Sequence, residues 1–140
     1  MPLEYTSLEL LRRNHPAWRL LCAQHAPLVA GFLHRVFIVP NVRNLPQADL
    51  VEALEDELFV LREQLGPEAF PGTAQTYLND WAENDKGWLR KFYPTGTDEP
   101  HFDLTPATEK ALAWLESLTE RAFVGTESRL LTLFALLRQM

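Results

Sequence analysis

The sequence has little of what marks a disulfide-rich, nucleotide-binding or membrane protein. Its 140 residues contain one cysteine, Cys22, which excludes an internal disulfide and is typical of a reducing compartment. The six glycines are scattered singly, so there is no glycine-rich phosphate loop. The longest apolar run, 26–39, is interrupted by His34 and Arg35 and is too short to span a membrane. Because the first ten residues also lack a signal-peptide pattern, we expect a cytoplasmic protein.

Basic residues are also in short supply. The formal net charge is −6, whereas a dedicated DNA-binding domain usually carries a basic patch. Between Thr73 and Asp103 there are three basic side chains and six acidic ones. The three basic ones, the only plausible DNA contacts of that region, are Lys86, Arg90 and Lys91. A surface with this excess of acids repels phosphate more than it attracts it, so the charge favours a protein partner.

The order of patterns between Thr73 and Thr105 predicts the fold class. A helical pattern, TAQTYLNDWAENDKG, ends at Gly87 and is followed by the strand-like run WLRKFYP. The polar turn TGTDEP, the short strand HFDL and the helix start Thr105-Pro106 come next. Helix, two strands and helix are typical of the second half of a winged helix-turn-helix domain. We therefore predict a mainly α winged helix-turn-helix domain with a short β-hairpin wing and additional flanking helices.

Helical signals also fill the rest of the chain. Thr6 to Glu9 forms a capping-box pattern that predicts a first helix ending near Asn14. Pro16 and Pro27 suit the first turns of two more helices. The inner face of the first of these is predicted to carry Trp18, Leu21 and Cys22. The strongest pattern runs from Pro46 to Leu65, with one leucine stripe: Leu50, Leu54, Leu58, Leu61 and Leu65.

Two further helices are predicted in the C-terminal part. The helix that Thr105 caps carries an apolar set, Ala111, Trp114, Leu115 and Leu118. After Gly125, a last helix from Thr126 or Glu127 remains in full pattern at Met140 without a stop signal. We therefore expect the chain to be part of a longer protein, with one domain over 1–122 and the start of a following helical region over 123–140.

Three groups of side chains suggest chemistry, and each has a simpler explanation. A structural zinc site needs four ligands, usually as two close pairs. Cys22 and His25 form one weak pair, and His15 and His34 do not make a second, so we expect a buried free thiol and ordinary histidines. A carboxylate cluster on one helix is expected to be solvated: Glu52, Glu55, Asp56 and Glu57.

The third group is a possible dyad on the second predicted strand. His101 and Asp103 are two residues apart, so on a strand their side chains point to the same face and can share a hydrogen bond. No serine or cysteine nucleophile at a recognisable elbow accompanies them. A structural pair is the favoured interpretation, and the sequence predicts no catalytic residue, metal ligand or cofactor.

Several segments together resemble one bacterial family. They are NHPAWRLL, FLHRVF, ALEDELFVLREQLG, DWAENDKGWLRKFYP and EPHFDLTPATEKALAWLESLTERAFVGTESRLLTLFALLRQM. The chain is similar to the kleisin-like subunit called JetA (or MksF, similar to MukF) of Wadjet-type SMC complexes. The resemblance covers nearly all of the chain, and its last block is the most specific. It corresponds to the N-terminal portion of a longer protein, in agreement with the uncapped helix at Met140.

The resemblance implies a non-catalytic role in plasmid defence. In Wadjet systems an SMC ATPase extrudes DNA loops, a MukE-like subunit binds the kleisin, and a nuclease cleaves the trapped circle. The kleisin bridges the ATPase heads, and in MukF-like kleisins the N-terminal winged-helix domain forms the dimer. The implied partners are a second copy of the chain and, through the full-length protein, a JetC/MukB-like ATPase and a MukE-like subunit. Contact with DNA is expected to be mainly indirect.

Surplus apolar surface supports self-association and gives a set of possible dimer or partner contacts, although the sequence does not say which surface forms the dimer. The segment from Leu28 to Ile38 is apolar almost all round, and the last helix has a wide apolar face. The predicted interface residues are Phe32, Val36, Phe37, Leu130, Leu133, Phe134 and Leu137. The alternative is a winged-helix module that contacts DNA through Lys86, Arg90 and Lys91.

Overall fold

The computed structural model describes residues 3–119, which form a mostly helical fold with one small antiparallel sheet. The first five helices are α1 (Tyr5–Asn14), α2 (Pro16–Leu21), α3 (Ala26–Leu33), α4 (Gln47–Leu65) and α5 (Ala74–Trp81). A π-helical turn, His34–Ile38, prolongs α3, and α6 covers residues 106–119. The strands are β1 (Asn44–Pro46), β2 (Leu89–Phe92) and β3 (His101–Leu104). The mainly α class is therefore confirmed.

The first two helices begin and end through local side-chain contacts. The capping box lies two residues earlier than predicted, because the Glu4 amide, rather than that of Thr6, donates to Ser7 Oγ (3.1 Å). Helix α1 ends at Asn14 as predicted, since His15 is extended and its Nδ1 accepts a hydrogen bond from the Ala17 amide (3.1 Å). That contact caps α2 at the position where Pro16 starts it.

Helices α4 and α5 confirm the strongest sequence patterns. The stripe residues Leu50, Leu54 and Leu58 are buried, whereas Leu65 is 64% exposed because the last turn of α4 extends beyond the core. Helix α4 stops at Gly66, which has a φ of 115° that favours glycine. Thr73 caps α5 as predicted, since its Oγ1 accepts a hydrogen bond from the Thr76 amide (3.2 Å).

The sheet places β3 between β1 and β2. The predicted hairpin is confirmed: β2 pairs antiparallel with β3 in a register that places Arg90 opposite Asp103. Trp88 was predicted within the first strand but lies just before it. Strand β1, which pairs its Leu45 with Phe102, was not predicted because three residues ending in a proline carry no readable alternation. Phe102, at the centre of the sheet, is fully buried.

Two of the residues that were predicted to lie in an interface are buried in the core. Phe32 and Phe37 are 1% and 2% exposed, and the half-buried Val36 packs against the same core. In the π-helical turn the Val39 amide donates to the His34 carbonyl, five residues back (3.0 Å). Phe37 in this wider turn and Phe32 in α3 belong to the same buried core. The interface prediction for these phenylalanines is therefore wrong: their apolar surface is already covered by the chain itself.

A hydrogen-bonded junction at Trp88 fixes α6 relative to α2. Trp88 Nε1 donates to the Pro16 carbonyl (3.1 Å), and Thr108 Oγ1 donates to the Trp88 carbonyl (2.8 Å). Thr105 caps α6 as predicted, since its Oγ1 accepts from the Thr108 amide (3.4 Å) while donating to the Gly87 carbonyl (2.7 Å). Thr108 is fully buried. The junction holds α6 against the body of the fold.

Candidate partner-binding surface

Helix α6 buries only part of its apolar side. Ala111 and Leu112 are 2% and 3% exposed and belong to the core, whereas Trp114 and Leu118 are 51% and 45% exposed. Trp114 and Leu118 were predicted to belong to one apolar set with Ala111. An exposed tryptophan beside other exposed apolar groups is typical of a binding surface.

An apolar groove lies between α6 and the first two helices. Its volume is about 640 Å³. Its walls are Leu11 of α1, Ala17, Trp18 and Leu21 of α2, and Trp114 and Leu115 of α6, with His15 at the junction of α1 and α2. We call it the α2–α6 groove. Leu21 and Trp18 were predicted to face inward, but both are only half-buried, and Leu20 takes the core position.

A second groove lies on the other flank of α6, against α3. Its volume is about 350 Å³, and we call it the α3–α6 groove. Its lining residues are Ala30, Gly31, His34, Leu112, Leu115, Glu116 and Thr119. Leu115 contributes to both grooves. One polar contact joins the two sides of this groove, with His34 Nε2 3.4 Å from Glu116 Oε2.

The three candidate DNA contacts lie in or next to the hairpin, and two of them are engaged by carboxylates. Arg90 donates two hydrogen bonds to Asp103 (3.0 and 2.7 Å), which raise the pKa of its guanidinium. Lys86 Nζ lies 3.9 Å from an Asp80 carboxylate oxygen. Lys91 is exposed, with its ammonium group 6.0 Å from the centre of the Phe102 ring. The hairpin therefore offers a phosphate little unpaired positive charge.

The predicted His101–Asp103 pair does not form. His101 Nδ1 is 2.8 Å from Asn44 Oδ1 on β1, and Asp103 is held by Arg90 on β2. Each side chain therefore links β3 to a different neighbouring strand. Their roles are structural, but with separate partners.

The cysteine, histidine and carboxylate candidates are also dispersed. Cys22 is exposed, so the prediction of a buried thiol is wrong: it follows the last residue of the short helix α2 and faces away from the core. His15 caps α2, while the His25 ring packs edge-on against Phe70, with ring centres 5.0 Å apart. Within residues 3–119, no group of three or more potential ligands could hold a metal ion.

The carboxylate cluster of α4 is largely solvated, as predicted. Glu52, Glu55 and Asp56 are exposed. Glu57 accepts a hydrogen bond from Arg35 (2.5 Å), which links α4 to the π-helical turn.

The four other predicted interface residues lie outside the part of the chain that the structure describes: Leu130, Leu133, Phe134 and Leu137. The groove residues that sequence reasoning missed are Leu11, Trp18, Leu21, Trp114 and Leu115. Helical periodicity marks them as apolar but does not say whether the protein itself covers them. Among the described helices, none is long and apolar enough to cross a lipid bilayer.

A family model described as "Protein of unknown function (DUF3375)" matches residues 10–140 of the chain. The chain belongs to the DUF3375 family. A relative from Mycolicibacterium smegmatis, named an uncharacterized protein, is 48% identical over 138 residues. The match covers 99% of this chain and 29% of the relative, so the chain spans less than a third of that relative's length. No solved structure matches the chain.

Proposed function

We propose that this chain is a non-catalytic assembly module. In this proposal it is the N-terminal winged-helix domain of a kleisin-like subunit, similar to JetA, MksF and MukF, in a Wadjet-type SMC complex. The observation that carries the assembly role is the α2–α6 groove, an open apolar surface with the half-exposed Trp114 in its wall. The sequence resemblance supports the choice of complex.

The order of the elements supports the winged-helix part of the proposal. From α3 to β3 the chain runs helix, strand, helix, helix, strand, strand, and the sheet order is β1-β3-β2. In this interpretation α4 and α5 are the helix-turn-helix pair, and the β2–β3 hairpin is the wing. The turn between β2 and β3 contains Gly96 at a φ of 86°.

The chemistry of the α2–α6 groove favours a protein as the partner. Its lining is apolar apart from His15, and tryptophan is among the side chains that most often dominate binding energy at interfaces. A projecting Trp114 beside an open groove is also self-complementary, because each copy can insert its ring into the groove of the other. Such an arrangement is that of a two-fold dimer, the commonest symmetry of soluble oligomers.

In the whole protein, dimerisation through this module would join two SMC complexes. The remaining part of the subunit would then bind the JetC/MukB-like ATPase and the MukE-like subunit, so that the assembly restricts plasmid DNA. In this proposal the module itself carries no catalytic residues.

Light scattering coupled to size exclusion tests the self-association. The chain should have the mass of a dimer at micromolar concentrations, and Trp114→Glu should have the mass of a monomer with an unchanged circular dichroism spectrum. Phe59→Glu is the matched control, since Phe59 is an aromatic residue that is 65% exposed and is not among the groove-lining residues. A monomeric unmodified chain, or equal loss of dimer in both variants, would contradict the proposal.

A second candidate function is DNA binding through the hairpin, for which the exposed Lys91 is the favourable observation. Two observations weigh against it: Arg90 is engaged by Asp103, and α5, the second helix of the helix-turn-helix pair, contains no lysine or arginine. If DNA binds there, replacing Arg90 and Lys91 with glutamate should weaken binding and lower the salt slope by about one for each phosphate that is no longer neutralised. We expect the unmodified chain to give no DNA retardation at low salt.

A further inference from the structure

Helix α4 has a second ordered face, opposite the leucines that it buries. Six of its residues follow one another at spacings of three, one, three, one and three, so their side chains share one side of the helix. All six are exposed: Glu52, Glu55, Asp56, Phe59, Val60 and Glu63. We call this set the α4 outer face. It is about 17 Å long at 1.5 Å per residue, which corresponds to about three turns.

The middle of the α4 outer face is apolar. Phe59 is 65% exposed and Val60 is 50% exposed. The residues three and four positions before Phe59 and four positions after it all carry carboxylates, so acids surround the ring on the helix surface. An aromatic centre within a charged rim is the arrangement of a protein-binding surface.

The carboxylates of this face attract a cationic partner. Within residues 3–119, no ion pair involves any of the four acids of the face. The two arginines in α4 or in contact with it are engaged elsewhere, since Arg35 pairs with Glu57 and Arg62 donates to carbonyls of the loop after α4. The α4 outer face therefore repels phosphate and anionic lipid and attracts lysine and arginine.

A groove opens beside this face at Glu55, which is one of its lining residues. Its volume is about 390 Å³, and Leu58, Pro67 and Pro71 contribute apolar atoms to its walls. Arg62 also lines the groove, with its guanidinium bound to carbonyls of the loop. The groove offers a recess for an apolar side chain of a partner, next to a carboxylate.

We propose that the α4 outer face binds a basic amphipathic helix of a partner protein. Apolar side chains of that helix pack on Phe59 and Val60 and enter the groove, while its lysines or arginines pair with the surrounding carboxylates. A helix fits because its side chains repeat at the same spacings of three and four residues as the face itself. This site goes beyond the proposed function, because none of its residues lines the α2–α6 groove.

Fluorescence anisotropy with a labelled model peptide tests this binding. The probe is a peptide of leucine and lysine of about 18 residues, long enough to form a helix on contact, with its leucines on one face. A second peptide has glutamate in place of every lysine. We expect the lysine peptide to bind with a Kd that increases with salt, and the glutamate peptide not to bind.

Two matched pairs of variants locate the site. Phe59→Ser should weaken binding about tenfold, because aromatic residues often dominate the affinity of an interface. Tyr93→Ser, at an aromatic residue of the hairpin that is 62% exposed, should leave the affinity unchanged. Asp56→Asn should weaken binding about threefold at low salt. Asp85→Asn makes the same change in net charge at an exposed position outside α4 and should have no effect.

Three outcomes would overturn the proposal. One is that the unmodified chain does not bind the lysine peptide, and the second is that Phe59→Ser and Asp56→Asn weaken binding no more than their controls, which would indicate attraction to the net charge of the chain alone. The third is binding to vesicles of phosphatidylserine and phosphatidylcholine that Phe59→Ser abolishes, which would assign the face to a membrane. The Trp114→Glu variant separates this site from the proposed dimer: it should be monomeric and bind the peptide with unchanged affinity.

Discussion

Among single residues, Arg62 has the clearest structural role. Its guanidinium donates hydrogen bonds to the carbonyls of Ala69, Phe70 and Gly72, which fixes the loop between α4 and α5. Arg62→Met keeps the aliphatic stem and removes these charge-assisted bonds. We expect a loss of roughly 2 kcal/mol in the free energy of unfolding, measured by urea denaturation. Arg43→Met, at an exposed position, is the control, and equal effects of the two changes would contradict this role.

The pKa of the Glu9 carboxyl depends on the neighbouring arginines of α1. Hydrogen bonds from Arg12 (2.5 and 3.1 Å), assisted by Arg13, lower the pKa of Glu9 below its usual 4.5. Since the pKa is lower in the folded than in the unfolded state, these contacts stabilise the fold above the unfolded value. That stabilisation is lost as the pH falls through the folded value.

Titration followed by NMR should place the midpoint of Glu9 below 4.5 and move it upward in Arg12→Ala. Because the pair is exposed, high salt should also move the midpoint upward. A midpoint that does not respond to Arg12→Ala would show that the hydrogen bonds do not persist in solution.

Among the elements, the connection between α5 and the β2–β3 hairpin requires a positive backbone φ at Gly87. Gly87 has a φ of 67°, and a Cβ there would lie 3.3 Å from Pro16 Cγ on α2. Gly87→Ala should therefore lower the free energy of unfolding by about 1–2 kcal/mol, as measured by chemical denaturation. Gly31→Ala, the same change inside α3, should raise it by up to about 1 kcal/mol. A neutral Gly87→Ala would mean that the joint tolerates the strain.

The helix ends that were predicted correctly are those that are fixed by residues close in the sequence. The start of α5 follows from the Thr73 hydroxyl, the end of α4 from Gly66, and the start of α6 from Thr105. Strand β1 was missed because it exists only through its pairing with β3, which is distant in the sequence. The π-helical turn His34–Ile38 was missed because its apolar pattern does not distinguish it from an α-helix.

At the scale of the whole molecule, the sequence does not show which apolar helix faces are buried in the core and which remain exposed. Phe32 of α3 and Trp114 of α6 have similar helical patterns around them, yet the first is 1% exposed and the second 51%. The difference arises from how α3, α4 and the sheet share one core, which no local pattern encodes. The candidate surface therefore could be predicted as apolar and helical, but not located.

Dimerisation through the α2–α6 groove should make the stability of the whole molecule depend on concentration. If only the folded chain associates, mass action raises the free energy of unfolding by up to about 1.4 kcal/mol per mole of dimer for each tenfold increase in concentration. The urea midpoint of the unmodified chain should therefore rise when the protein concentration is raised about a hundredfold from micromolar values. The midpoint of Trp114→Glu should stay constant, and that of Phe59→Glu should follow the unmodified chain. A midpoint independent of concentration in all three would contradict dimerisation through the α2–α6 groove.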